Sequence, residues 1–126
     1  MKKMIPKFRA WDKRENTMRD VAVLHFTKGG KVNSIEYWKT PSELKSYHVR
    51  NLVLMQSTGL KDKNGVEIFE GDIGWDDHQE VHGQVIFENG AFKYEWENIS
   101  EDLFEATDDI EIVGNIHENP ELLEGK

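Results

Sequence analysis

The run Asp76-Asp77-His78-Gln79-Glu80-Val81-His82 is the part of this chain richest in metal-binding side chains. Carboxylates and imidazoles together suit Zn, Mn or Mg, depending on geometry. In an extended strand, residues two apart share a face, so His78, Glu80 and His82 would offer three ligands from one side. The spacing follows no metal motif, and a solvated acidic loop is the ordinary use of such a run. Glu95 and Glu97 are also two apart and would place paired carboxylates on one strand face, an arrangement that serves acid–base catalysis but is equally the pattern of an exposed face. His117 has no serine that the sequence obliges it to meet, so it supports no triad. Gly29-Gly30 and Gly71 lack the glycine spacing and the following Lys-Ser/Thr of a phosphate loop, and they read as turns. With 0 Cys, disulfides, thiolate metal sites and cysteine nucleophiles are excluded. These residues nominate no catalytic, cofactor-binding or metal site. The expectation is a non-enzyme without a cofactor, and a metal-dependent hydrolase is the most distant alternative.

The elements that would position these residues are mostly short strands. Lys7-Phe8-Arg9-Ala10-Trp11 alternates polar and apolar side chains, Met18 to Phe26 continues in the same style, and Val32 to Trp38 follows the Gly29-Gly30 turn. Thr40-Pro41-Ser42-Glu43 carries the signature of a capped helix start, which predicts a short helix ending near Val49. Leu52-Val53-Leu54-Met55 is an apolar run suited to a strand buried on both faces. Turns are expected at Lys61-Asp62-Lys63-Asn64-Gly65 and at Glu70-Gly71-Asp72. Asn89-Gly90 is a strong hairpin signal and sets a register by arithmetic: Phe87 faces Phe92, Val85 faces Tyr94, and Gly83 faces Trp96. That face is expected to be core, with a Trp covering a Gly. Ser100-Glu101-Asp102-Leu103-Phe104 suits a capped helical turn, and Ile110 to Ile116 a final strand. Trp11, Trp38 and Trp75 lie in or beside turns, with core packing expected ahead of a partner surface. The fold class is mainly β, a small SH3-like barrel or meander with an N-terminal β lobe and one or two short helices; α+β is the alternative. The domain reading is an N-terminal lobe with a short helix over 1–50, a barrel-like part over 51–118 and a polar tail over 119–126, forming one folding unit.

Charge is divided unevenly. Residues 1–63 hold 14 Lys/Arg against 6 Asp/Glu, a net +8, whereas residues 64–126 hold 2 against 18, a net −16; together these give the −8 of the whole chain. Opposite halves can neutralise each other within a subunit or head to tail between subunits. A basic nucleic-acid surface is the sharper alternative, although the cations are dispersed and no binding motif accompanies them. No apolar run approaches the ~18 residues of a membrane span, and Met1-Lys2-Lys3-Met4 leads into Pro6 instead of a signal core. A cytoplasmic protein is therefore expected.

Four blocks carry a family resemblance: Lys7-Phe8-Arg9-Ala10-Trp11-Asp12, Met55 to Gly65, Ile68-Phe69-Glu70-Gly71-Asp72-Ile73, and Val113 to Leu122. In order and spacing they resemble the YopX family over nearly the full chain. The resemblance implies a small β-rich protein of bacteriophages and prophages, acting inside the bacterial host cell, of uncharacterised function and expected to self-associate. It brings no catalytic residues. The chain departs from the family pattern after Asp72-Ile73, where a Val is common and Gly74-Trp75 stands, and Asp76 to His82 lies in a variable region. The resulting expectation is an accessory protein that forms a homo-oligomer or binds a host or phage protein. Nucleic-acid association through the basic half is the alternative.

Overall fold

The alternation at the start of the chain becomes β1 (Phe8–Asp12), which is followed by β2 (Thr17–Phe26), β3 (Val32–Thr40) and β4 (Glu43–His48). These strands belong to a computed structural model that describes residues 7–124. The chain divides into two units, residues 1–56 and 57–126. In the first, the strands lie in the order β4-β3-β2-β1, and β1 also pairs with the opening residues of β5 (Leu52–Lys61). All pairings are antiparallel. Ala10, Ile35, Tyr37 and Leu52 form the core, with Val21, Leu24, Tyr47 and Leu54 packed against them.

The helix expected after Thr40 does not form. Residues 43–48 are strand β4, paired with β3 from Thr40↔Glu43 to Ser34↔His48. The cap-like Thr40-Pro41-Ser42 instead makes the hairpin turn, with Thr40 Oγ1 accepting the Ser42 N–H at 3.4 Å. Pairing with β3 places Tyr47 opposite Ile35 and beside Tyr37, and a long-range ladder outweighs a local capping signal worth ~1 kcal/mol. Only a single 3₁₀ turn, Val49–Asn51, remains helical.

Asp12 fastens this unit. Its carboxylate is fully buried and accepts the N–H groups of Arg14 (3.0 Å) and Glu15 (3.1 Å), the Arg19 guanidinium (3.2 and 3.3 Å) and the Tyr47 hydroxyl (3.4 Å). Arg19 in turn lies 4.6 Å over the Tyr37 ring. Burial alone would raise the Asp12 pKa, but the Glu15 and Arg14 amides and the Arg19 cation outweigh it and hold the carboxyl below its ordinary value.

In the second unit the rest of β5 pairs with β6 (Glu67–Phe69). Then come β7 (Asp72–Asp76), β8 (Val81–Glu88), β9 (Ala91–Trp96), β10 (Ile99–Asp102), the one-turn helix α1 (Leu103–Ala106) and β11 (Ile110–Asn115). The sheet order is β10-β9-β8-β7-β11, again antiparallel. The fold is mainly β and, of the two architectures expected, it is the meander; neither sheet closes into a barrel. Asn89 (φ 54°) and Gly90 (φ 80°) make the expected hairpin turn, and the register runs from Glu88↔Ala91 to Gln84↔Glu95. Val85, Tyr94 and Trp96 are buried with Ile68, Leu103 and Ile110, whereas Phe87, at the hairpin tip, stays half exposed against Phe92. The side chain over Gly83 is Tyr94 and not Trp96: a Cβ on Gly83 would lie 2.4 Å from Tyr94 Cζ, and one on Gly74 would lie 2.8 Å from its hydroxyl. The helix begins at Leu103, later than expected, because Ser100, Glu101 and Asp102 are taken up by pairing with β9.

Buried acids again hold the turns. Asp62 Oδ1 accepts the N–H groups of Asn64 (2.8 Å) and Val66 (2.9 Å), and its Oδ2 accepts that of Ile112 at 2.8 Å, 50 residues along the chain. Asp72 accepts the Phe69 N–H at 2.8 Å. Burial would raise the Asp62 pKa; the Ile112, Val66 and Asn64 amides overcome it and lower the pKa.

Asp62→Ala leaves three backbone donors without their acceptor, and at ~1–3 kcal/mol for each unsatisfied buried group a loss of about 2–5 kcal/mol is expected in urea unfolding, given partial hydration of the turn. Because the folded pKa is depressed, the stability Asp62 contributes is present above its unfolded pKa of ~3.9 and is lost as pH falls through the lower folded value. The stability difference between wild type and Asp62→Asn should therefore be constant above about pH 5 and shrink below about pH 4.

Candidate functional site

The residues with metal-binding side chains lie largely in a turn, the ordinary use of such a run, and not on the strand face that a three-ligand site would need. Asp76 ends β7 buried, its Oδ1 accepting the N–H groups of His78 (2.9 Å) and Gln79 (3.2 Å) while its carbonyl accepts that of Glu80 (2.7 Å). Residues 77–80 thus form the β7–β8 turn, with Glu80 at φ 56°. His78 and Glu80 precede β8 and do not share a strand face with His82, which sits opposite Trp75 with ring centroids 4.7 Å apart. Asp77 pairs instead with Lys63 at 3.3 Å. Among the described residues no group of three or more His, Asp or Glu is placed to hold a metal ion.

A cleft of about 520 Å³ does gather several of these groups. Glu80, His82, Glu95 and Glu97 line it together with Trp96 and Leu122-Leu123. Glu95 and Glu97, noted for their spacing, do reach the same cleft, but β9 ends at Trp96 and Glu97 stands beyond it at φ 53°. Part of the expected polar tail is structured, since Pro120–Leu123 form a 3₁₀ turn. His117 belongs to the turn before it: Asn115 Oδ1 accepts the N–H groups of His117 and Glu118, each at 2.9 Å. The cleft is an anionic surface, which can attract cationic groups.

Two apolar features escaped the sequence reading. In the first unit a groove of about 610 Å³ is lined by Phe8, Val21, Val23, Leu24, Phe26 and Val32, and Phe26 is 59% exposed. In the second, Phe104 on α1 is 73% exposed, the most exposed large apolar side chain among the described residues. It stands among Glu101, Asp102, Glu105, Asp108 and Asp109. Burial, and then repulsion from Glu105 and Asp109, raise the Glu101 pKa. The sequence signals were an aromatic beside Lys28-Gly29-Gly30-Lys31 and an aromatic inside an acidic run. Of the tryptophans, Trp11 is buried, Trp75 is half-buried and Trp38 is 47% exposed opposite Leu44.

The structural boundary also divides the charge. Residues 1–56 carry 12 Lys/Arg against 5 Asp/Glu, net +7, and residues 57–126 carry 4 against 19, net −15.

A family model described as YopX protein matches residues 7–124. The chain belongs to the YopX family. A crystal structure of protein EF1440 from Enterococcus faecalis is similar to it, with a TM-score of 0.74 and 34% identity over 96% of this chain and 99% of that one. No curated protein matches the chain. The family's function is uncharacterised, and it is not a known enzyme family. No helix among the described residues is long and apolar enough to cross a membrane.

Within this YopX protein the blocks that carry the resemblance are strand segments, the turns that follow them and the side chains that fasten those turns. Asp12, Asp62, Asp72 and Asn115 each accept backbone N–H groups. Gly114 is packed so closely that a Cβ there would lie 2.4 Å from Asn119 Oδ1, an atom that accepts the Asn115 N–H at 3.2 Å. The carboxylates and amide of these blocks are thus engaged by the chain's own amides, whereas Glu80, His82, Glu95 and Glu97 line the cleft. Isothermal titration with Zn²⁺ or Mn²⁺ at low micromolar concentration is expected to give no binding heat; a saturable isotherm lost in His82→Ala would assign the cleft a metal.

Proposed function

We propose that this YopX protein is a non-enzymatic interaction module, an accessory protein of a bacteriophage or prophage that works in the cytoplasm of the bacterial host. It assembles with itself, the basic unit of one copy against the acidic unit of another, or presents the same surfaces to a host or phage protein. The observation that carries this reading is the coincidence of the charge boundary with the structural one, net +7 on one unit and −15 on the other. Complementary patches orient an encounter and speed it, and they leave like-charged pairings unfavourable. The phage setting is supported by the family resemblance.

Light scattering should show oligomers at low salt that dissociate as ionic strength rises and the Debye length falls to a few ångströms. A strict monomer at low and high salt would remove self-assembly from the reading. The net +7 unit also favours a second reading, binding of nucleic acid with the acidic unit turned away. A mobility shift with duplex or single-stranded DNA at low salt would support that second reading, and absence of any shift would end it.

A further inference from the structure

Of the apolar features among the described residues, the groove belongs to the basic unit and Phe104 to the acidic one. Phe104 projects from a firmly seated turn: Leu103 and Ala106 of α1 are buried beneath it, and Thr107 Oγ1 donates to the Phe104 carbonyl at 3.1 Å. An aromatic held on a rigid base loses little conformational entropy on docking. Its neighbours Glu105, Asp108 and Asp109 have no cationic partner among the described residues. The raised Glu101 pKa reflects in part the mutual repulsion within this patch, which an incoming cation would relieve.

The groove of the first unit offers the complementary environment. It opens where β2 runs into the Thr27–Lys31 turn, which is closed by Thr27 N–H to the Lys31 carbonyl (2.6 Å) and by Lys31 N–H to Thr27 Oγ1 (3.2 Å). That turn carries Lys28 and Lys31 in the chain between two residues of the groove lining, Phe26 and Val32, and neither lysine has an ion-pair partner among the described residues. The nearest acid across the ladder, Glu36 opposite Val23, is held by His25 at 2.6 Å. The groove walls carry no charge, and its volume of about 610 Å³ is ample for a phenyl ring.

We propose that this groove receives Phe104 of a second copy of the chain, with the carboxylates around Phe104 meeting Lys28 and Lys31. The inference rests on the self-assembly reading above and names its contact. Phe104 is the anchor: a buried aromatic at the centre of an interface, ringed by charge that excludes water, is the usual concentration point of binding energy. The contact joins unlike patches, so two copies that exchange it form a closed dimer and copies that do not exchange it form a chain.

The test uses the full chain at low salt, with association followed by sedimentation velocity and folding checked by circular dichroism and thermal melting. Phe104→Ser and Phe26→Asp both alter exposed side chains, and Val23→Glu is a second groove variant in case Phe26→Asp perturbs the hairpin. Each is expected to weaken association at least about tenfold while the melting temperature is retained. Mixing Phe104→Ser with Phe26→Asp should restore complexes, because one keeps its groove and the other its anchor. If wild type assembles and Phe104→Ser assembles equally well, the Phe104 contact is overturned while charge-driven assembly stands. Loss with Phe26→Asp and Val23→Glu but not with Phe104→Ser would mean that another segment fills the groove, which also overturns it. Wild type that stays monomeric at every salt concentration overturns this contact and the self-assembly reading together.

Discussion

The second unit depends on one carboxylate. Asp62 collects three backbone N–H groups, two from its own turn and one from Ile112 on β11, so a single side chain both shapes a loop and attaches a strand 50 residues away. The Lys63 N–H adds a parallel link to the Ile110 carbonyl at 3.1 Å. A carboxylate can be buried only where hydrogen bonds replace its water, and here the replacement comes from amides that would otherwise be unpaired themselves. Asp12 in the first unit follows the same logic, with Arg19 supplying part of the compensation. These acids therefore belong to the internal framework despite a residue type usually found at the surface.

What could be read from the sequence was what is decided locally. Asn89-Gly90 sets its hairpin because two adjacent residues adopt positive φ, and the register then follows by counting. The mainly β class followed from strand-type side chains separated by turns. The Thr40 segment was misread because its residues fit a helix start or a hairpin turn about equally, and β3 made the choice. At Asp76 to His82 the loop was legible from the acids and polar residues, but its fastening was not: the Asp76 carboxylate draws the following N–H groups into a turn. The groove was beyond pattern reading because β2 carries irregularities between Val21 and Val23 and between His25 and Phe26. Each one resets which side chains share a face.

The proposed role draws on a different part of the molecule from the motif blocks. Those blocks are occupied with strands and their turns, and the anionic cleft, the apolar groove and the Phe104 patch are open for a partner. A family can therefore be recognised by residues that maintain its backbone while the residues that meet other molecules lie between the recognisable blocks.

The packing of Tyr94 on Gly74 and Gly83 has a bearing on how such a chain can diverge. Strands β7, β8 and β9 each contribute one member of this stack, so the three positions share a single volume. A side chain gained at either glycine needs a smaller ring at 94, and a larger ring at 94 finds no room above the glycines. Changes at these sites are admissible only in concert. Among related sequences, the three positions should behave as one inherited character and not as three.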